Sequence, residues 1–304
     1  MEAYRKPRLE HVLGDTWCIV TGFCRIPLYM PQRSKAVMID SGLKDPDRQG
    51  ILNLLEQEQI RVAALLTSHF HRDHIGNHRV IQEKHGAHVY MTPFTSAMLE
   101  NTRRPSPVLK ESAMQAVPHS GPRESNTEHL FLPTEEAITV AGYTFKILPL
   151  PGHSQEHVGF VTPDGVAYLS DTLLSRPILQ SIRIPYFAFC REDLEAKNSV
   201  LEMDYPCYIL AHNGVYTDVR ELAQENVDNL QEKLHIVEML AQHWITLERL
   251  AAQVIHHMGG DGDALRKVIG YKRNVQVLVE YLQETGRLDI RARDGFVEYI
   301  RCTK

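Results

Sequence analysis

Short, continuous apolar runs punctuate the chain, and they keep ending in the same kinds of side chain. Residues 36–39, 62–67, 144–150, 166–170 and 207–211 are rich in Val, Ile and Leu. Their length and composition predict strands buried on both faces. The first run is followed by Asp40-Ser41-Gly42 and the second by Ser68-His69-Phe70-His71-Arg72-Asp73-His74. The third leads through Pro151-Gly152 to His153, the fourth ends at Asp171 and the fifth at His212. A single Asp or His at a strand end is more often a turn or capping residue. Their recurrence in order is what points to one shared site.

After His212 the short continuous runs give way to the period of a helix. Leu222, Val227, Leu230, Leu234, Val237 and Leu240 fall at three- to five-residue spacing and predict one long helix. From Ile245 the pattern shortens. A helix opens after Thr246 as its N-cap, and a second amphipathic helix covers 274–284 and stops at Thr285-Gly286. Segments 287–290 and 296–301 read as a hairpin turning at Asp294-Gly295. Helix, helix and a β wing resemble a small winged-helix module, so the expected organisation is a catalytic unit over 1–220 and a helical unit over 221–304.

Composition is that of an ordinary globular protein. The chain has 304 residues, 43% hydrophobic and 23% charged, enough for one large unit and a small one. A net charge of −5 provides no global attraction to nucleic acid. Met1 to Glu10 is charged and has no apolar stretch, so neither secretion nor membrane insertion is expected and cytoplasm is the default. The cysteines, Cys18, Cys24, Cys190, Cys207 and Cys302, are odd in number and lack ligand spacing, which predicts reduced thiols.

The chemistry lies in residues 69–74. Three imidazoles and a carboxylate follow directly on an apolar strand, where a solvated His-rich loop would not be fed by one. Nitrogen and oxygen donors in this number suit a borderline cation such as zinc. His69 and His71 face the same way on an extended segment, and Asp73 with His74 needs the chain to turn toward a second point nearby.

His69-x-His71-x-Asp73-His74, followed by His153, Asp171 and His212, resembles the ordered signature of the metallo-β-lactamase fold hydrolases. The resemblance implies an α/β fold, an αββα sandwich with metals at one edge. It implies that His69, His71 and His153 hold a first ion, that Asp73, His74 and His212 hold a second, and that Asp171 bridges them. Asp40 is expected to support the ligands from behind. The expected cofactors are two Zn2+ ions per chain, with Mn2+ or Fe as substitutes. Two departures bear on loop geometry and substrate: Asn77 stands where the family commonly has a second glycine, and Ala211-His212-Asn213 replaces Gly-His-Gly. His71, where the flavodiiron branch uses Glu, disfavours that branch.

The reaction these ligands imply is hydrolysis by a hydroxide shared between the two cations, with Asp73 and Asp171 as the catalytic carboxylates. The expected substrate is a small-molecule ester, thioester or lactone. The alternatives are a phosphodiesterase or endoribonuclease acting on RNA and a mononuclear iron oxygenase. β-Lactam hydrolysis is disfavoured by the lack of a signal peptide. His157 is a candidate proton donor, a hydrogen-bonding support or a plain packing residue. Tyr186, Phe187 and Phe189 are candidates for an apolar pocket wall, against which stands ordinary core packing. Residues 92–133, rich in Pro and Ser, with a helix near 95–101 and turns at Pro105, Pro107, Pro118 and Pro122, are a candidate flap. Ten Lys or Arg against eight Asp or Glu from Met239 to Lys304 is a small excess for a duplex binder. A packing or dimerisation lid in a homodimer is favoured over nucleic acid as the module's role, and His256 and His257 read as surface residues.

Overall fold

The computed structural model describes residues 6–101, 129–212, 214–260, 262 and 264–302. The apolar runs form strands at or within one residue of the expected limits. A seven-stranded sheet has the order β1 (Arg8–Leu13), β2 (Thr16–Val20), β3 (Arg25–Tyr29), β4 (Ala36–Ile39), β5 (Val62–Leu66), β6 (His88–Met91), β7 (His129–Leu130). It is antiparallel from β1 to β4 and parallel from β4 to β7. A second sheet has the order β13 (Gly214–Tyr216), β12 (Cys207–Leu210), β11 (Val166–Ser170), β10 (Val158–Val161), β9 (Tyr143–Pro149), β8 (Ala137–Val140). In it only β11 and β12 run parallel.

Alternation along these strands builds the layers. Val37, Ile39, Ala64 and Leu66 of the first sheet meet Val166, Tyr168 and Ile209 of the second in a core between the sheets. Their neighbours Met38 and Leu65 turn outward into a cluster under helices α1 (Arg48–Gln57) and α3 (His78–His85), which precede β5 and β6 respectively. Ala167 and Leu169 turn outward on the other side, under α6 (Cys190–Leu201) and α7 (Arg220–Leu240). Strands β4, β5, β11 and β12 therefore bury both faces, which is why their runs carry no polar alternation. The run 144–150 differs from that expectation: β9 buries Phe145 and Ile147 and exposes Thr144, Lys146 and Pro149, because only one of its faces meets the other sheet. A buried Leu or Phe here contributes about 1.5–3 kcal/mol relative to exposure. Between these come the short α2 (Arg72–Ile75), α4 (Pro93–Asn101), where the expected helix near 95–101 lies, and α5 (Arg176–Ser181). The turn signals at Pro105, Pro107, Pro118 and Pro122 lie outside the described residues.

The C-terminal unit follows α7 with β14 (Ile245–Thr246), α8 (Leu247–His257), α9 (Leu265–Glu284), β15 (Leu288–Arg293) and β16 (Phe296–Arg301). Thr246 caps α8, its hydroxyl accepting from the Arg249 amide at 3.5 Å. β15 and β16 join through a two-residue turn with Asp294 and Gly295 both at positive φ, 50° and 81°, the geometry that a tight hairpin demands. Helix α9 begins at Leu265 rather than at 274. Its first turns were hidden from periodicity because Leu265 is 73% exposed and Gly270 interrupts the stripe. His256 and His257 are exposed.

Helix α7 packs on both sides. Leu222 and Ala223 pack on the second sheet, while Leu230, Leu234 and Val237 join α8 and α9. Ile184, Phe187, Cys190 and Leu194 from before residue 220 belong to that same C-terminal cluster, so the apolar core runs across the expected boundary. Among the described residues no helix is long and apolar enough to cross a membrane. All five cysteines are unpaired.

Candidate metal centre

The four donor-bearing segments emerge at the C-terminal ends of β5, β9, β11 and β12, and Asp40 at that of β4, so both sheets deliver them to one edge of the sandwich. After β5 the chain stays extended through His71, whose ψ is 149°, and then winds into α2. This sends His69 and His71 to one point and Asp73 and His74 to another.

Two donor groups result: His69, His71, His153 and Asp171, and Asp73, His74, His212 and Asp171, with the atoms of each group within 4.8 Å of one another. In the first, His71 Nδ1 and His153 Nε2 are 2.9 Å apart, and Asp171 Oδ2 lies 3.2 Å from His153 Nε2 and 3.9 Å from His69 Nε2. In the second, His212 Nε2 lies 3.2 Å from Asp73 Oδ2 and 3.4 Å from Asp171 Oδ1, and His74 Nε2 lies 3.6 and 3.4 Å from the same two atoms. Donors about 2.1 Å from a common tetrahedral ion are about 3.4 Å apart. The separations bracket that value, and Asp171 offers one oxygen to each group.

The side chains behind the donors decide which atom each ligand presents. His74 Nδ1 donates to Asp40 Oδ2 at 2.7 Å, and His212 Nδ1 donates to the Phe23 carbonyl at 3.0 Å. His69 Nδ1 donates to Ser68 Oγ at 3.0 Å, because that hydroxyl spends its own proton on Asp40 Oδ2 at 2.7 Å. Each ring is thereby left with Nε2 as a lone pair aimed into the site. His69 Nε2, His74 Nε2 and Asp171 Oδ1 are buried without a partner. Buried polar atoms are rarely left so, and cations at the two points would satisfy them. The residues present thus fit two ions of the zinc class.

Electrostatics agree. Burial, with His74 and His71 beside it, holds His69 well below the usual imidazole range, in the neutral form a ligand needs. Burial works the same way on His153 and lowers His71 to about 4. For His74 and His212 burial opposes the charge, but Asp171 and Asp73 outweigh it and raise both well above the usual range. The two carboxylates therefore draw positive charge to the second point.

Asp40 accepts four bonds: His74 Nδ1, Ser68 Oγ and Tyr168 OH on Oδ2, each at 2.7 Å, and the Ser68 amide on Oδ1 at 2.8 Å. It sits at φ 61°, and Ser170, before Asp171, at φ 50°. Left-handed backbone at non-glycine residues costs of order 1–3 kcal/mol. Here it bends both strand ends into the site. Asn77 fills the departure from a second glycine: its φ is −120°, and its Nδ2 donates to the carbonyls of Ser41 and Leu43, both at 2.8 Å. The second departure includes Asn213, which lies outside the described residues.

His157 is fully buried; its Nδ1 donates to the Leu150 carbonyl at 2.9 Å, and its Nε2 accepts from the Asp171 amide at 3.4 Å. Both nitrogens are engaged, so it supports Asp171 and has no proton to offer a leaving group. Of the three aromatic candidates, Tyr186 reaches the site, its ring 5.3 Å from His71 and 5.1 Å from His153. Phe187 is buried in the C-terminal cluster, drawn there by α7. Phe189 opens α6, its amide on the Gly152 carbonyl and its ring exposed. Sequence reasoning missed Ser68, Tyr168 and the Thr21–Cys24 turn, whose Phe23 ring lies 4.6 Å from His212. Only Ser68, inside the motif, carried any sequence signal.

The model of the metallo-beta-lactamase superfamily matches residues 31–212, more than half of the chain. A hydroxyacylglutathione hydrolase of Chromohalobacter salexigens is 27% identical over 143 residues, 46% of this chain and 44% of that protein. The chain thus spans less than half the length of that curated relative. The hydroxyacylglutathione hydrolase GloC of Haemophilus influenzae is 23% identical over 211 residues, 66% of this chain and 89% of that one. Two solved structures share the fold over nearly the whole chain. A metallo-beta-lactamase family protein of Thermus thermophilus has a TM-score of 0.68 at 20% identity, covering 92% of this chain and 94% of that one. A beta-lactamase domain protein of Burkholderia ambifaria has a TM-score of 0.69 at 16% identity, covering 97% and 93%.

Proposed function

The chain belongs to the metallo-beta-lactamase superfamily, and from that membership we propose that it is a binuclear hydrolase of small thioesters and related esters or lactones. The observation that carries the reading is the pair of donor groups sharing Asp171, one oxygen to each. His69, His71 and His153 would hold one divalent cation, Asp73, His74 and His212 the other, and zinc is the favoured metal, with manganese or iron as substitutes. Bound there, such ions supply Lewis acidity to the scissile carbonyl and to water. Asp171 keeps the two points in register. Asp73, 19% exposed, takes up and returns a proton through the carboxylate oxygen not given to the ion. Asp40 and His157 keep rings and backbone in place. Thioesters lead the substrate classes because the named relatives are hydroxyacylglutathione hydrolases.

Asp171→Ala tests this directly. It removes an oxygen from each group, so metal content should fall from about two ions per chain and turnover of a thioester by at least a thousandfold, read by elemental analysis and a thiol assay. Full activity in that variant would sink the assignment.

A second reading, a phosphodiesterase acting on RNA, is favoured by one feature. The order helix, short strand, two helices and hairpin after residue 220 supports a winged-helix-like unit over 221–304. Against it, the basic side chains there are largely paired, Lys272 with Glu248 and Arg291 with Glu298. RNA affinity that falls steeply with salt would favour it. The unpaired cysteines support a reducing compartment, the cytoplasm.

A further inference from the structure

The C-terminal elements reach the rim of the site through Tyr186. Helix α9 docks on the segment after α5 through Asn274, which is buried and whose Nδ2 donates to the Ile184 carbonyl at 3.3 Å. The Asn274 Oδ1 accepts from Arg273 Nη1 at 3.0 Å. That bond lays the guanidinium over the face of Tyr186, with its carbon 4.1 Å from the ring centroid. The Tyr186 ring also lies against the rings of His71 and His153. A cation from residue 273 thus stands one aromatic ring away from the first donor group, although it lies outside the stretch that matches the family model.

Two features set Arg273 apart from a packing arginine. It is half-buried, and no carboxylate of the described residues pairs with it, whereas the adjacent Lys272 is paired with Glu248. A guanidinium carries five N–H donors in a planar fork, of which Asn274 takes one and the Tyr186 hydroxyl another. A stacked, positioned fork with free donors beside a reaction centre suits a planar anion, which it binds with two parallel hydrogen bonds.

We propose that Arg273 is the substrate-recognition residue of this site, selecting acyl compounds that carry a carboxylate on the leaving group. The proposal rests on the hydrolase reading for its substrate class. The carboxylate lies against the fork, Tyr186 forms the wall between, and the scissile carbonyl reaches the two donor groups. Recognition is thereby assigned to α9 and the chemistry to the sandwich edge.

Binding and turnover separate the two ideas. The probes are 3-(2-oxopropylthio)propionate, an inert thioether, and its neutral amide, titrated by calorimetry into the metal-loaded wild type, Arg273→Met and Arg273→Lys. The expected result is at least tenfold tighter binding of the carboxylate than of the amide by wild type. Arg273→Met should abolish that preference while leaving the amide's affinity unchanged, and Arg273→Lys should restore part of it. In turnover, S-acetyl-3-mercaptopropionate should show a raised KM and an unchanged kcat in Arg273→Met, with no change for its amide. Equal affinity for the two thioethers in wild type overturns the proposal. So does an equal loss for both in Arg273→Met, the signature of a residue that only packs on Tyr186. Carboxylate-selective binding without any thioester turnover supports the recognition role and strikes the hydrolase reading instead.

Discussion

The carboxylate of Asp40 touches neither donor group's centre, yet four donors converge on it. An amide at this position cannot accept all four, and it would present an N–H to at least one N–H or O–H. Asp40→Asn should therefore lose about 10–100-fold in metal affinity, because His74 is no longer held in the tautomer that exposes Nε2. Competition with a chromogenic chelator checks this; wild-type affinity would mean that Ser68 Oγ, 3.4 Å from His74 Nδ1, orients the ring without help. His78 is a second buried support behind the strand ends. It is buried between Thr67 Oγ1 at 2.8 Å and Ser41 Oγ at 2.7 Å, and burial lowers it from 6.5 to about 4. Above pH 6.5 neither folded nor unfolded chain protonates it. Between 6.5 and 4 only the unfolded chain binds the proton, so stability is lost as pH falls through that window, by about 3 kcal/mol in full. Urea denaturation from pH 7 to pH 4.5 should show a shallower decline for His78→Gln than for wild type, even though the variant begins less stable. Parallel declines would mean that His78 contributes no proton linkage.

Elements deliver these residues, and strand ends were the part most legible from sequence. An apolar run buried on both faces has no room for a polar side chain, so each run's last residue marks the sheet edge, and Asp40, His69, Asp171 and His212 could be placed there by pattern. The supports were not legible. Tyr168 reads as one more apolar strand residue, and only the packing of the second sheet on the first brings its hydroxyl to Asp40 across 128 positions of chain. His157 and Tyr186 needed tertiary contacts to separate them from ordinary core residues, and Arg273 sat inside a helix whose start the pattern concealed. Gly152, in the Pro-Gly step before His153, owes its role to a close approach. At φ 127° it passes so near the first turn of α6 that an added Cβ would sit 2.3 Å from the Asp193 backbone. Its carbonyl accepts from the amides of Ala188 at 2.7 Å and Phe189 at 3.0 Å. Gly152→Ala must therefore move the loop off α6 and carry His153 with it. Substitutions at such positions cost well over 1 kcal/mol. The expected outcome is a loss of at least 2 kcal/mol in urea denaturation together with a weakened first metal, whereas a variant that melts and binds as wild type would show that the loop is not clamped.

Helix α7 decides whether the chain has one folding unit or two. A linker helix would leave each side with a closed core. Instead Leu222 and Ala223 of α7 complete the outer layer of the sandwich, and its later turns complete a cluster that borrows Ile184, Phe187, Cys190 and Leu194 from the catalytic side. Cutting after residue 219 would expose those four apolar side chains and take away the helix that covers Leu169 and Leu210. The burial removed is that of several large side chains at about 1.5–3 kcal/mol each, comparable with the whole stability of an ordinary domain. The chain should accordingly unfold as one unit. Thermal scans followed by near-ultraviolet and far-ultraviolet dichroism should superimpose, and a chelator should lower the single midpoint for both signals together, since ions at the sandwich edge stabilise everything folded with it. Two separated transitions, with only the first responding to chelator, would mean that the shared cluster does not couple the units. The recognition role of Arg273 depends on the same coupling, because a guanidinium on α9 can face the donor groups only while α9 stays docked on Ile184.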